Sequence, residues 1–398
     1  MFKLYCRIYQ FLFRCASFLL PWRFPKILSN FDSLVEVLTQ KNVKTALLVT
    51  DVGIVKAELH LELLNKLHTN GIRCIMYDKT LQNPTIENTE EALVLYKMED
   101  CTAIIALGGG SPLDCAKGVG ARVARPRKTI PKMRGTLKVL KRIPLFVAIP
   151  TTSGTGSENT LAAVITNSVT HEKYAITDPS LFPHYALMNP ALTIGLPPLL
   201  TAYTGMDALS HAVEAYIGQC NTCQTRKDAL KATQLIFENL FVAFSDGQNI
   251  AARKNMQDAS FLAGKAFTRA YVGNIHAVAH TLGGEYGTQH GLANAAIMPH
   301  ILDMYGKHIH KRLSEMAVAA GLANKTATNE ENAEKFIAAI REMNAKMGIP
   351  DKISDLKKED VPKLAKRALK EANPLYPVPI IFKLKEMKKV YYKILKEV

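Results

Sequence analysis

A chain of 398 residues, 48% of them hydrophobic, is long enough to bury about two domain cores and too apolar to be a disordered polymer. Its 50 Lys and Arg against 35 Asp and Glu give a net charge of +15, which raises nucleic acid or an anionic membrane as partners; but the cations are spread along the chain, the dense stretch 122–142 holds no aromatic residue on which a base could stack, and Phe382, Tyr391 and Tyr392 of the basic C-terminal tail fit the apolar side of one amphipathic helix, so no nucleic-acid partner is expected. The seven cysteines are odd in number and scattered, which argues against a disulfide framework and for a reducing cytoplasm.

Residues 1–20 are apolar and aromatic but interrupted by Lys3, Arg7 and Arg14. That pattern is wrong for a signal peptide and too broken for a transmembrane span. It predicts an amphipathic helix ended by Pro21, packed on the body or on a partner subunit, with shallow membrane contact as the lesser reading and no stable membrane anchor. Apolar β-branched runs then alternate with helical spacing: strands at 43–50, 72–78, 102–107 and 144–150, with helices at 55–69 and 87–99 and another opening after 108–111. Further strands are expected at 161–167 and 173–189. Alternation of this kind builds a parallel, doubly wound sheet that binds ligands at the carboxyl ends of its strands.

Two loops stand at such ends. Gly108-Gly109-Gly110-Ser111 leads into a helix carrying Asp114 and Lys117, so free N–H groups could face a pyrophosphate. The run departs from GxGxxG, and a plain tight turn fits the residues as well. Thr151 to Glu158 is small, glycine-rich and rich in hydroxyls; it reads either as a phosphate- or ribose-binding loop or as an ordinary polar loop. From Pro197 onward nearly all of the chain has helical periodicity.

In this helical region, polar pairs at ligand spacing occur in two segments. Asp207 and His211 are four apart in GMDALSHAVEAY, and His276 and His280 are four apart in HAVAHTLGGEYGTQH. His290 follows Gly283-Gly284, read as a turn that folds the chain back. One Asp and three His suit a divalent metal such as Fe(II) or Zn(II); single i,i+4 pairs are also common as hydrogen-bonded structural features, and spacing alone leaves both open.

Together GGGSPLDCAK (108–117), PTTSGTGSE (150–158), GMDALSHAVEAY (205–216) and HAVAHTLGGEYGTQHG (276–291), in that order, resemble the iron-containing (group III) alcohol dehydrogenases. The resemblance runs from about residue 30 to the C-terminus. It implies a dehydroquinate synthase-like architecture: an N-terminal extension (1–28), a dinucleotide-binding α/β domain (29–196) with a parallel sheet, and an all-α metal-binding and catalytic domain (197–398). It implies Asp207, His211, His276 and His290 as metal ligands, His280 as a proton relay, and Phe267 in the substrate pocket. Gly109, Gly110, Ser111, Asp114, Thr151, Thr152, Thr155, Lys173, Asp51 and Asn83 fall at cofactor-binding positions. A carboxylate at Asp51 would bond ribose hydroxyls and repel a 2′-phosphate, so NAD is expected over NADP. The implied activity is reversible hydride transfer between NAD(H) and a small alcohol or aldehyde by a cytoplasmic homodimer. A glycerol or polyol dehydrogenase of the same fold, or a catalytically silent metal-binding member, is the alternative.

Overall fold

A computed structural model of the chain describes residues 1–17, 22–324 and 326–396. It divides into two compact units, residues 21–196 and residues 1–20 with 197–398.

In the first unit the strands are β1 (Lys26–Leu28), β2 (Thr45–Val49), β3 (Arg73–Tyr77), β4 (Ala103–Gly108), β5 (Gly135–Thr136), β6 (Leu145–Pro150), β7 (Ala162–Asn167), β8 (Glu172–Thr177) and β9 (Tyr185–Leu187). Six form one sheet in the order β1-β9-β6-β4-β2-β3, and every pairing in it is parallel. Helices connect most of the strands, the arrangement that the alternating pattern predicts. Strand β4 is buried throughout, and its residues alternate between two cores: Ile104 and Ala106 pack on one face, Ala103, Ile105 and Leu107 on the other. Because β2, β4 and β6 are parallel neighbours, their carboxyl ends lie along one edge. Asp51, the Gly108–Ser111 loop and the Thr151–Glu158 loop all emerge there.

Two expectations change in this unit. The stretch 173–189 is no continuous strand. Asp178 breaks it by accepting hydrogen bonds from the backbone N–H of Val139, Leu140 and Ser180 at 2.9–3.0 Å. Strands β7 and β8 form an antiparallel hairpin in a separate three-stranded sheet with β5, and β9 returns to the main sheet. An extension reaching residue 28 is also too long: Lys26–Leu28 pairs with Tyr185–Leu187 as the edge of the main sheet.

The second unit is helical, with a core rich in alanine, which lets helix axes approach closely. Its central helix is Pro198–Ile217. Gly291, beside His290, allows one such approach: a Cβ there would lie 2.1 Å from the carbonyl oxygen of Tyr203. The N-terminal helix spans Phe2–Ser17; its expected stop at Pro21 lies outside the described residues. Arg7 ties it down by donating to the carbonyls of Val378 and Pro379, both at 2.8 Å.

Candidate metal and cofactor site

Asp207 and His211 sit one turn apart on the Pro198–Ile217 helix, His276 and His280 on the Asn274–Tyr286 helix, and His290 opens the His290–Tyr305 helix. Gly283 and Gly284, expected as a turn, are helical. The reversal comes at Gly287, whose left-handed backbone (φ 71°) ends the helix. Ligand-type atoms of Asp207, His276 and His290 all lie within 4.8 Å of one another. Asp207 Oδ1 stands 3.7 Å from His276 Nε2 and 3.6 Å from His290 Nε2, too far for hydrogen bonds and close to the spacing of atoms that share one cation at about 2.1 Å. His211 is outside that three-residue group. Its ring stacks between Phe267 (4.0 Å between centroids) and His276 (4.4 Å), which brings the expected pocket residue Phe267 beside the cluster.

Electrostatics favour positive charge here. Burial alone would raise the Asp207 carboxyl, but the facing imidazoles of His211, His290 and His276 hold it far below the carboxylate range. Burial alone would lower His276, yet Asp207 and Glu214 carry it up to about 9. A cation would take over the role of that proton. The Asn294 amide makes the same point: its Nδ2 lies 2.7 Å from Asp207 Oδ1 and 3.2 Å from Nε2 of both His276 and His290. Its buried Oδ1 meets no donor among the described residues. The donor set therefore fits a divalent transition metal.

Three side chains that the motifs did not single out support this cluster. Glu214, seven residues after Asp207, reaches His276 Nδ1 at 2.6 Å. Asn294, four after His290, shares that helix. Glu371 Oε1 lies 2.5 Å from His280 Nδ1 and accepts from the Tyr376 hydroxyl at 2.8 Å. Helical spacing could have flagged the first two. No local signal points to Glu371, 91 residues from its partner.

In the α/β unit, Gly109 caps the Gly110–Ala124 helix, whose first turn includes Ser111. The two loops fit each other closely. A Cβ on Gly109 would come 3.3 Å from Thr152 Cγ2, and one on Gly110 would come 2.7 Å from Thr155 Cγ2. Thr151 anchors its loop to β4, its N–H donating to Gly108 O at 3.0 Å. Lys173 donates to Asn83 at 2.8 Å, joining two residues expected at the cofactor. Asp51 uses Oδ1 to cap the Val52–Lys56 helix through Ile54 N–H at 3.0 Å, while Oδ2 lies beside Gly108. Asp114 braces the loop: one oxygen accepts from the Ser157 hydroxyl (2.6 Å) and the other from Val164 N–H (3.0 Å). Fully buried Lys117 does likewise, donating to Ser157, Thr160 and Ala162 at 2.7–2.8 Å.

Two family models cover the chain: "Iron-containing alcohol dehydrogenase" over residues 27–190 and "Fe-containing alcohol dehydrogenase family, C-terminal" over 201–395. The chain belongs to the iron-containing alcohol dehydrogenase family. Among members of that family it is 39% identical to 1,3-propanediol dehydrogenase of Klebsiella pneumoniae, over 83% of this chain and 86% of that protein. It is 38% identical to alcohol dehydrogenase 4 of Saccharomyces cerevisiae (strain YJM789), over 86% and 88%. A solved 1,3-propanediol oxidoreductase superposes with a TM-score of 0.89 at 35% identity, covering 94% of this chain and 99% of that one. As a family member the chain is an oxidoreductase of the alcohol dehydrogenase type, with the α/β-plus-helical architecture that the motifs imply.

Proposed function

We propose that this protein interconverts a small alcohol and its aldehyde with NAD(H), using a divalent metal held by Asp207, His211, His276 and His290. The observation that carries this reading is the convergence of Asp207, His276 and His290 from three helices, with Asn294 bridging all three. A cation bound there supplies Lewis acidity toward the oxygen of the alcohol or aldehyde. A nicotinamide cofactor supplies or takes the hydride.

The chain's own residues do the rest. Glu214 fixes the orientation of His276. His280, its ring 5.2 Å from that of His290, handles the proton: Glu371 accepts from Nδ1, which leaves Nε2 to exchange a proton with the substrate oxygen. Phe267, stacked on His211, gives the pocket an apolar wall. The glycine loop, Ser111 and the Thr151–Thr155 segment hold the pyrophosphate, and Lys173 with Asn83 lies along the cofactor. Asp51 bonds the adenosine ribose through Oδ2 and repels a 2′-phosphate. The reading includes a cytoplasmic homodimer, and the seven unpaired cysteines support the reducing compartment.

The test is a panel of small aldehydes with NADH and with NADPH, using protein reconstituted with Fe(II) or Zn(II). Turnover with NADH and a higher kcat/KM than with NADPH is the expected result. Tight NADH binding with no turnover of any aldehyde or polyol would favour the catalytically silent alternative.

A further inference from the structure

The Phe2–Ser17 helix turns a mixed side inward and an apolar face outward. Arg7 bonds the carbonyls of Val378 and Pro379 at 2.8 Å, and buried Gln10 bonds those of Tyr376 (2.8 Å) and Pro374 (3.0 Å). Cys6 is fully buried, and Phe13 meets the Tyr271 ring edge-on at 5.2 Å. The outward side is apolar: Phe2, Leu4, Tyr5, Ile8, Phe11 and Leu12 are each 50–65% exposed. Five of these recur at i, i+1, i+4, i+7 and i+8 from Leu4, so they form one face. Folded chains seldom leave a contiguous apolar patch of this kind in water.

The helix itself carries charge of one sign: its charged residues are Lys3, Arg7 and Arg14, with no carboxylate. Lys3 and Arg14 are exposed on one flank of the apolar face, while Arg7 is turned to the body. The chain as a whole carries +15. We propose that this helix docks the protein on an anionic lipid surface. Its apolar face sinks to the boundary between headgroups and acyl chains, and the exposed Lys3 and Arg14 meet the lipid phosphates. Pairing with a second copy through this face would bring together two helices that carry cations and no carboxylate to oppose them. A span is not involved: among the described residues no helix is long and apolar enough to cross a membrane. The polar inward contacts fit the same picture, because hydrogen bonds from Arg7 and Gln10 hold the helix on the body while leaving its apolar side chains for lipid.

The experiment is sedimentation of the full-length protein with vesicles of phosphatidylcholine alone and of phosphatidylcholine mixed with phosphatidylglycerol, at low and high salt. The wild type is expected to sediment with the anionic vesicles, less so at high salt, and weakly with the neutral ones. The double variant Ile8→Glu, Phe11→Glu should lose at least about tenfold in partitioning, while its circular dichroism and turnover of a soluble aldehyde stay as in the wild type. Light scattering on both proteins without lipid completes the set. Absence of binding to anionic vesicles overturns the proposal, as does a double variant that binds as well as the wild type. So does a wild-type oligomer that the double variant dissolves while neither protein binds vesicles.

Discussion

Nδ1 of His276 stands 2.6 Å from Oε2 of Glu214, inside a wall of protein that buries both side chains. The same carboxylate accepts the backbone N–H of Gly273 at 2.8 Å and of Ile275 at 2.7 Å. Glu214 therefore caps the Asn274–Tyr286 helix and selects a tautomer together. A carboxylate only accepts, so Nδ1 carries a hydrogen, and Nε2, on the side of Asp207, is the nitrogen that gives up its proton to offer a lone pair to a metal. Glu214→Gln places an amide donor within reach of Nδ1 and can invert that choice. The variant is expected to fold, and to bind Zn(II) about 10- to 100-fold more weakly in a competition with a chromophoric chelator. An unchanged affinity would assign Glu214 to helix capping alone.

The His280–Glu371–Tyr376 chain makes a second prediction. Glu371 Oε1 takes hydrogen bonds from both the imidazole and the phenol. Glu371→Ala leaves His280 free to rotate and to change tautomer. We expect kcat to fall roughly 10- to 100-fold with little change in KM. Steady-state kinetics on one aldehyde checks this, and an equal loss in kcat/KM through KM alone would contradict it.

Much of this arrangement was legible in the sequence because helices report their faces locally. Spacing of four placed Asp207 with His211 and His276 with His280, and the fold brings Asp207, His276 and His290 to one point. Alternation of strand and helix predicted the parallel sheet, and with it the common edge from which Asp51, Gly109 and Thr151 emerge. What was missed depends on tertiary contact. Nothing near Glu371 in the chain announces a histidine 91 residues away. Asp178 breaks the expected 173–189 strand because partners at 139 and 140 fold against it. Gly283 and Gly284 suggested a turn on composition, but they stay helical and the left-handed position falls to Gly287.

The close fit of the two loops proposed to hold the cofactor gives a prediction about binding. A methyl group at position 110 would meet Thr155 Cγ2 at 2.7 Å and Oγ1 at 3.1 Å. Gly110→Ala must push the Thr151–Glu158 loop away, at a cost of about 1–3 kcal/mol. NADH titrations followed by fluorescence should show an affinity loss of roughly tenfold or more. Wild-type affinity would show that the loops do not cooperate in holding the cofactor.

At the end of the second loop, burial raises the Glu158 carboxyl from 4.5 to about 7, and it lowers the Lys117 ammonium from 10.5 to about 8. In the window from 4.5 to about 7, native Glu158 keeps a proton that the unfolded chain has lost. Its contribution to stability is thus fully present below that window and fades as the pH rises through it. The contribution amounts to at most about 3 kcal/mol. Glu158→Gln stays neutral at every pH, so its urea-unfolding free energy should change less than the wild type's between about pH 5 and about pH 8. Identical pH slopes for the two proteins would contradict the buried-carboxyl account.

The most direct measurement on the central claim pairs metal content with turnover in the wild type and in His276→Ala. Both proteins are stripped with chelator, reloaded with Fe(II) or Zn(II), freed of excess ion, and assayed with NADH and a small aldehyde. The wild type should retain about one metal per chain and recover its rate on reloading, while His276→Ala, folded by circular dichroism, should retain almost none and stay inactive. Wild-type turnover by a His276→Ala protein shown to be metal-free would contradict the account.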